Sequence, residues 1–416
     1  MRRGFLNSKA AKERLSSATA QQFEQIKVTS VDLPAVLEKP VVVPGSTFSP
    51  TDPPTHIWAT LPQLYGEPST ECVLLRGSKE IILKTPGFPK RLPPANSPAA
   101  FRVAPSPGKG MGLFSTRPIK QGEIILWERP LLIAPRGVPT RFPPGSFSAA
   151  QMIQHHLDAC EHFIAIAVNR MEENCRAAFM SLHNCHTHDG SGPLVGRFRT
   201  NGVALGGLDG VQHQTDKPYN AILEHVSRLN HSCSPNTQPF FDRATFAYKL
   251  YAVRDVPAGE ELTYQYIDVL ANKTARAESL KPYDVVCTCL ACTENIAETD
   301  KRRSEIANIF PFVPTWLMNY QLPDDWLIKK CTALLELIDK EGLQHLEGYC
   351  MGTRAIMDSY ICLGDSRNAS KWAARVALRP WSECEAESYP VKELLDPGSP
   401  AYAQHPLWQM RMRMWM

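Results

Sequence analysis

Cys287-Thr288-Cys289-Leu290-Ala291-Cys292 sets three thiols within six residues, and no other stretch restricts the folding of this chain as sharply. A structural zinc ion takes four ligands in a tetrahedron, with sulfur at ~2.3 Å. Three ligands on one short loop therefore demand a fourth from elsewhere. Cys233, inside Asn230-His231-Ser232-Cys233-Ser234-Pro235-Asn236, is a candidate. The competing reading is that these are free thiols packed as small hydrophobes; it is the weaker one for the three clustered cysteines and the stronger one for Cys233 alone. The chain has 12 cysteines in all. No basic segment followed by an apolar one marks a secretory signal, so a metal cluster in a reducing compartment is expected rather than a disulfide framework. Cys331, Cys350 and Cys362 fall on expected helix faces and read as core. His183, Cys185, His186 and His188 also resemble ligands, but their spacing fits no common finger and they run into the loop signal Gly190–Pro193.

Composition narrows the function classes. The 416 residues carry 45 basic and 42 acidic side chains, a net charge of +3, too little to draw the chain to nucleic acid or membrane by electrostatics alone. No apolar run approaches the ~18 residues of a membrane span; the richest, Ile124–Trp127 and Phe163–Val168, are far shorter, and a soluble chain is expected. Met1–Ala20 carries Arg2, Arg3, Lys9, Lys12 and Arg14. With Glu13 among them and a weak apolar face, it reads as a basic tail rather than a mitochondrial presequence.

Thirty-five prolines, concentrated in the first hundred residues and near the C-terminus, mark out irregular segments. Residues 1–95 read as a Pro-rich region, largely disordered or loosely docked, with one expected hairpin at Glu71–Lys84 turning at Arg76-Gly77-Ser78-Lys79. From Phe101 short β-rich runs begin: Phe101–Ala104, Glu123–Trp127, Ala244–Val253 and Leu262–Ile267. Ala149–Asn184 lacks proline and repeats apolar residues at helical spacing, an insert of two or more helices within about 149–184. After Cys292 the pattern is helical to about Leu378. Asp325–Lys340 places Trp326, Leu327, Leu334, Leu335 and Ile338 on one face, and Ser366 is a candidate N-cap for a last helix. No 34-residue repeat is visible, although the paired helices suggest tetratricopeptide-like packing.

Three further motifs are weak one at a time. Gly108-Lys109-Gly110-Met111-Gly112-Leu113-Phe114 lets backbone approach a ligand, but it is neither a Walker loop nor a Rossmann turn. Asn230-His231 alone reads as a loop tie. Tyr264 and Tyr266, two apart on an expected strand, share a face and alone read as core.

In this order, the segments resemble a SET domain, the fold of most protein-lysine methyltransferases. The matching pieces are Lys109–Phe114, Arg228–Asn236, Gly259-Glu260-Glu261-Leu262-Thr263-Tyr264-Gln265-Tyr266 and Cys287-x-Cys289-x-x-Cys292, and the resemblance covers about Phe101 to Cys292. The insert and helical C-terminal part look most like the SMYD branch and its fungal relatives. The cysteine-rich MYND finger of that branch is missing here, since the insert offers only Cys160, Cys175 and Cys185.

The resemblance implies an α+β SET-domain fold of short β-sheets and loops. It divides the chain into the N-terminal region 1–95, a SET domain 96–270, a zinc-binding post-SET segment 271–297 and an α-helical, tetratricopeptide-like region 298–416. It implies S-adenosyl-L-methionine as cofactor and a structural zinc. Lys109, Gly110, Met111 and Gly112 would lie along the cofactor, with Asn201 beside its amino-acid part, Asn230 and His231 at its amino and adenine ends, and Tyr264 in the same pocket. Tyr266 would be the catalytic tyrosine, and Cys233 with Cys287, Cys289 and Cys292 would hold zinc. A phenylalanine common in the family two residues before the first post-SET cysteine is Val285 here, with Tyr283 nearby as a substitute. The implied activity is methyl transfer to a lysine ε-amine of a histone or non-histone protein, by a monomer in the nucleus or cytoplasm without sequence-specific nucleic-acid or membrane binding. The alternative is a catalytically silent SET module that binds partners through its helical C-terminal part.

Overall fold

The computed structural model describes residues 56–95, 98–138, 147–208, 218–309, 313–378 and 391–413. The readings of Met1–Ala20 as a basic tail and of the prolines before residue 56 lie outside them. The described residues build an α+β fold on three small sheets. The first has strand order β1 (His56–Leu61), β2 (Thr70–Leu75), β6 (Leu132–Pro135), β8 (Tyr219–Ile222), β7 (Val203–Leu205). The second runs β10 (Thr237–Asp242), β11 (Ala247–Ala252), β5 (Ile124–Glu128). The third runs β3 (Phe101–Ser106), β4 (Gly110–Ser115), β12 (Glu261–Tyr264), β9 (Asn230–His231).

The five-stranded sheet is covered on both faces, because successive side chains of a strand point opposite ways. Cys72 and Leu74 of β2 enter a core shared with Leu113, Leu250, Leu262 and Tyr264. Val73 and Trp58 face the other way, onto Phe163, Ile164 and Ala167. Those three belong to α2 (Ala149–Arg170), part of the insert that also holds α3 (Glu173–Met180). Ser148 starts α2 through a reciprocal cap with Gln151. Here, then, strands β1 and β2 are part of the core rather than loosely docked: Cys72 and Leu74 are wholly buried.

The expected hairpin at Glu71–Lys84 is corrected. β2 pairs with the upstream β1, His56 opposite Leu75, and after Gly77 at φ 91° the chain enters the helix α1 (Ser78–Leu83). Lys79 and Glu80 favour a helix, and the segment's backbone closes helical bonds, Ile81 N donating to Gly77 O and Lys84 N to Glu80 O, in place of a strand pairing.

Pro193, read as loop, is the first residue of α4 (Pro193–Asn201). Proline suits that position because its missing N–H would have no helical partner. Remote Glu161 of α2 caps the helix, accepting from Leu194 N at 2.9 Å and Val195 N at 2.6 Å.

Beyond the sheets come α5 (Lys273–Leu280), the short α6 (Leu290–Thr293), α7 (Ile296–Asn308), α8 (Val313–Met318), α9 (Trp326–Glu341), α10 (Glu347–Cys362) and α11 (Ser366–Ala377). Leu327, Leu334, Leu335 and Ile338 are buried on the expected face of α9, with Trp326 half-buried beside them. Cys331, Cys350 and Cys362 are buried in these helices. The cap of α11 lies one residue earlier than expected: the Asp365 carboxylate accepts from Asn368 N at 2.9 Å. Among the described residues no helix is long and apolar enough to cross a membrane.

Candidate active site

β9 and β12 pair in parallel, Thr263 opposite Asn230 and Tyr264 opposite His231. This brings segments more than thirty residues apart to one place. Asn236, 1% exposed, ties them further: Oδ1 accepts from Thr263 N at 2.8 Å and Nδ2 donates to Glu261 O at 2.8 Å.

Just past β12, Tyr266 is held on several sides. Its hydroxyl donates to Leu229 O at 2.6 Å, and its backbone N donates to His231 Nδ1 at 3.1 Å. The second contact sets the histidine tautomer. An Nδ1 that accepts leaves the proton on Nε2, which donates to Cys233 Sγ at 3.3 Å. Both ring nitrogens of His231 are thus engaged inside the protein, so any contact it makes to a ligand falls to its backbone. The Tyr266 ring lies 5.1 Å from that of Tyr264, 5.4 Å from His231 and 5.4 Å from Tyr283. The Tyr283 ring, named above as the substitute near Val285, thus lies against Tyr266.

The glycine-bearing turn forms the tip of the β3–β4 hairpin. Gly110 sits at φ 77°, which an L side chain rarely adopts, and a Cβ there would meet nothing within 4 Å. A Cβ on Gly112 would fall 2.6 Å from Glu261 Oε1 and 3.0 Å from Asn230 Nδ2, so any side chain there would displace the Glu261 carboxylate. Glu261 is a hub that the sequence motif contained but whose role it did not disclose. Oε1 accepts from Asn230 Nδ2 at 2.7 Å, and Oε2 pairs with Lys109 Nζ at 3.1 Å. Asn230 also reaches Met111 O at 3.3 Å. Asn201, the last residue of α4, is 7% exposed and donates from Nδ2 to His183 O and Arg197 O. Ser227 Oγ donates to Asn201 O at 2.9 Å, linking it to the turn that leads into Asn230. Among the described residues neither Asn201 Oδ1 nor Asn230 Oδ1 has a hydrogen-bond partner, and Gly108 and Gly110 leave open space along the hairpin tip beside Asn230. Two open acceptors and exposed backbone suit a ligand bearing an ammonium group.

The sulfurs of Cys233, Cys287, Cys289 and Cys292 all lie within 4.8 Å of one another. Cys233 Sγ is 3.9 Å from Cys287 Sγ and 3.5 Å from Cys292 Sγ. Tetrahedral zinc with sulfur at ~2.3 Å requires roughly 3.8 Å between sulfurs, so the set fits such an ion. Pressed against Cys287, Cys289 and Cys292 and buried, the Cys233 thiol is held far above the ordinary thiol range, as expected of sulfurs that cannot all ionise without a cation. Fully buried Arg276 stands beside them, donating from Nη2 to Ala291 O at 2.9 Å and reaching Cys292 Sγ at 3.8 Å. Nothing in the pattern of α5 separated it from a surface arginine. The cluster His183, Cys185, His186 and His188 does not form a four-ligand site: His186 Nδ1 pairs with Asp189 at 2.8 Å and Cys185 Sγ contacts Thr200 Oγ1 at 3.3 Å.

Residues 110–267 match the SET domain, and the chain carries one. It is similar to Histone-lysine N-methyltransferase set5 of Schizosaccharomyces pombe, 29% identical over 212 residues, covering 50% of this chain and 56% of that protein. It is likewise similar to Histone-lysine N-methyltransferase SMYD3 of Homo sapiens, 38% identical over 177 residues, 41% of this chain and 40% of that one. A shorter stretch is similar to SET domain and MYND-type zinc finger protein 6 of Schizosaccharomyces pombe, 41% identical over 78 residues, 18% of this chain and 16% of that one. Each match spans less than two thirds of the relative's own length.

Proposed function

We propose that the protein is an S-adenosyl-L-methionine-dependent protein-lysine N-methyltransferase, acting on a histone or non-histone lysine. The observation that carries the reading is Tyr266, whose phenol is fixed to Leu229 O inside a wall of Tyr264, Tyr283 and His231. Two relatives bearing the name histone-lysine N-methyltransferase support it.

When bound, S-adenosyl-L-methionine supplies an electrophilic methyl group on a positive sulfur. Lys109, Gly110, Met111 and Gly112 would flank it with backbone. Asn201 and Asn230 would accept from its ammonium group, the backbone at His231 would meet its adenine, and Tyr264 would close the same pocket. The Tyr266 O–H donates to Leu229 O, which fixes the phenol oxygen that would orient an incoming amine. Tyr264 and Tyr283 exclude water from the approach. A lysine ammonium of pKa ~10.4 loses its proton more readily where water is excluded and another positive charge stands near. The protein's part is alignment and electrostatics, with no covalent intermediate. Cys233, Cys287, Cys289 and Cys292 would hold a zinc with no open position, fastening the segment that carries Tyr283.

With this reading go the division at 270 and 297 into SET, post-SET and helical parts, a monomer, the nucleus or cytoplasm as compartment, and no membrane or sequence-specific nucleic-acid partner. Tyr266→Phe tests the mechanism: turnover with tritiated cofactor should fall roughly hundredfold or more, while calorimetric cofactor binding persists. Undiminished turnover removes Tyr266 from the chemistry. A wild-type chain that takes up no cofactor in the same titration is a silent module.

A further inference from the structure

We propose that His345, in the turn between α9 and α10, is a positioning residue for Tyr266, so that the helical region completes the active site it packs against. The catalytic consequence rests on the methyltransferase reading; the contact itself does not.

The strand explains why an extra hold is needed. Pairing of β12 with β9 ends at Tyr264 opposite His231, and Ser232 N donates to Tyr264 O at 3.2 Å. Tyr264 is thus fixed by the sheet, whereas Tyr266 stands two residues beyond the end of the ladder. Between them half-buried Gln265 meets the helical region, where its Oε1 accepts from His345 Nε2 at 2.7 Å. His345 is 7% exposed, and the contact joins residues 80 apart in sequence.

The turn that carries His345 is itself held in place. α9 ends at Gly342 with φ 64°. Leu343 N donates to Ile338 O at 3.0 Å and Gly342 N to Asp339 O at 3.2 Å, the paired bonds that close a helix through a left-handed residue. Leu343 is wholly buried, and Leu346 N donates to Leu343 O at 3.0 Å. On the SET side Ser234 Oγ donates to Glu341 O at 2.6 Å. Arg254 donates from Nη2 to Ser234 O at 3.0 Å and from Nη1 to Gly342 O at 3.4 Å. A Cβ on Gly342 would fall 3.2 Å from Ser234 Cβ, so turn and loop touch with no side chain between them. Ser234 follows Asn230, His231 and Cys233 in the same loop. The turn is therefore set against that loop at one end and against Gln265 at the other.

Alignment is what this placement protects, since a displacement of about 1 Å can cost about a hundredfold in rate. With Gln265 released, Tyr266 keeps its own bonds to Leu229 O and His231 Nδ1, so a partial loss is expected.

The test uses the full-length, zinc-loaded chain, tritiated S-adenosyl-L-methionine, and core histones and whole-cell extract as acceptors. In His345→Leu turnover should fall roughly tenfold while calorimetric cofactor affinity stays within about twofold. His345→Gln, whose amide can still donate to Gln265, should recover most of the loss. Gln265→Leu should lower turnover by the same factor, and the double variant no further. Unchanged turnover in His345→Leu, additive losses, or an equal loss in His345→Gln overturns the proposal. Amide hydrogen exchange reads the contact without turnover. Exchange at Tyr266 N should quicken roughly tenfold in His345→Leu while α9 and α10 keep their protection. Exchange unmoved at Tyr266 overturns the proposal, and exchange raised equally through both helices does so by showing a part in folding alone. If His345→Leu does not fold, Gln265→Leu takes its place in both measurements, with Gln265→Glu, which still accepts from His345, as its conservative partner. A wild type that transfers no methyl group refutes the proposed function alone, since the exchange map still reads the contact.

Discussion

Glu261 is the side chain that ties the glycine turn to Asn230. One carboxylate oxygen holds Asn230 and the other Lys109, while the absent side chain of Gly112 makes room for the carboxylate and the Asn230 amide. The ion pair is partly solvated and worth little for stability, of order 1 kcal/mol. Its value is positional: it aims the Asn230 amide so that Oδ1 stays open. Glu261→Ala should leave the melting temperature nearly unchanged and weaken S-adenosyl-L-methionine binding roughly tenfold by calorimetry. Glu261→Gln, which can still accept from Asn230, should fall between. An unaltered dissociation constant in Glu261→Ala would separate this carboxylate from the site.

Strand β1 carries a different dependence. His56 is buried, and desolvation lowers its pKa from 6.5 to about 4. Between these values the unfolded chain binds a proton that the folded chain refuses. The stability is therefore complete above pH 6.5 and is lost as pH falls toward 4. From pH 7 to pH 5 the loss is about 2 kcal/mol. Denaturant midpoints at the two pH values should show it, and His56→Gln should flatten the difference by that amount. An identical pH slope in the variant would clear His56 of the effect. This strand also explains where sequence patterning failed locally. Val73-Leu74-Leu75 was legible as a strand, but its partner lay upstream in a proline-punctuated stretch, because pairing is decided by contacts across the sheet and not by the nearest apolar run.

Across the molecule, buried Arg303 of α7 joins the helical region to the SET loop. It donates to Cys233 O at 3.0 Å, to Val269 O at 2.6 Å and to Ser234 Oγ at 3.0 Å, and pairs with Glu341 of α9 at 2.9 Å. Removing one partner of such a buried network typically costs 3–5 kcal/mol. Arg303→Met should lower unfolding free energy by about that much and loosen zinc retention in a chelator competition; retained stability would show that the helices dock without it. Stripping zinc from the wild type should likewise lower the melting temperature and abolish cofactor binding, because Cys233 shares its loop with Asn230 and His231. A chelated protein that melts and binds as before would contradict that link.

Four motifs were readable along the chain because each is a local run whose chemistry survives without its surroundings: the glycine turn, Asn230-His231 through Cys233, the strand ending at Tyr264-Gln265-Tyr266, and the three clustered cysteines. Taken in order they carry the resemblance to a SET domain, and it was that resemblance that nominated Tyr266 and the set of four sulfurs. Folding alone assigned the tasks of Glu261, Asn236, Glu161, Arg276 and Arg303, the inward turn of both His231 nitrogens, and the placement of strands β1 and β2 in the core. A charged or polar residue looks the same in sequence whether it meets water or a buried partner. Its role depends on which distant atoms the chain carries to it, and that is a property of three dimensions.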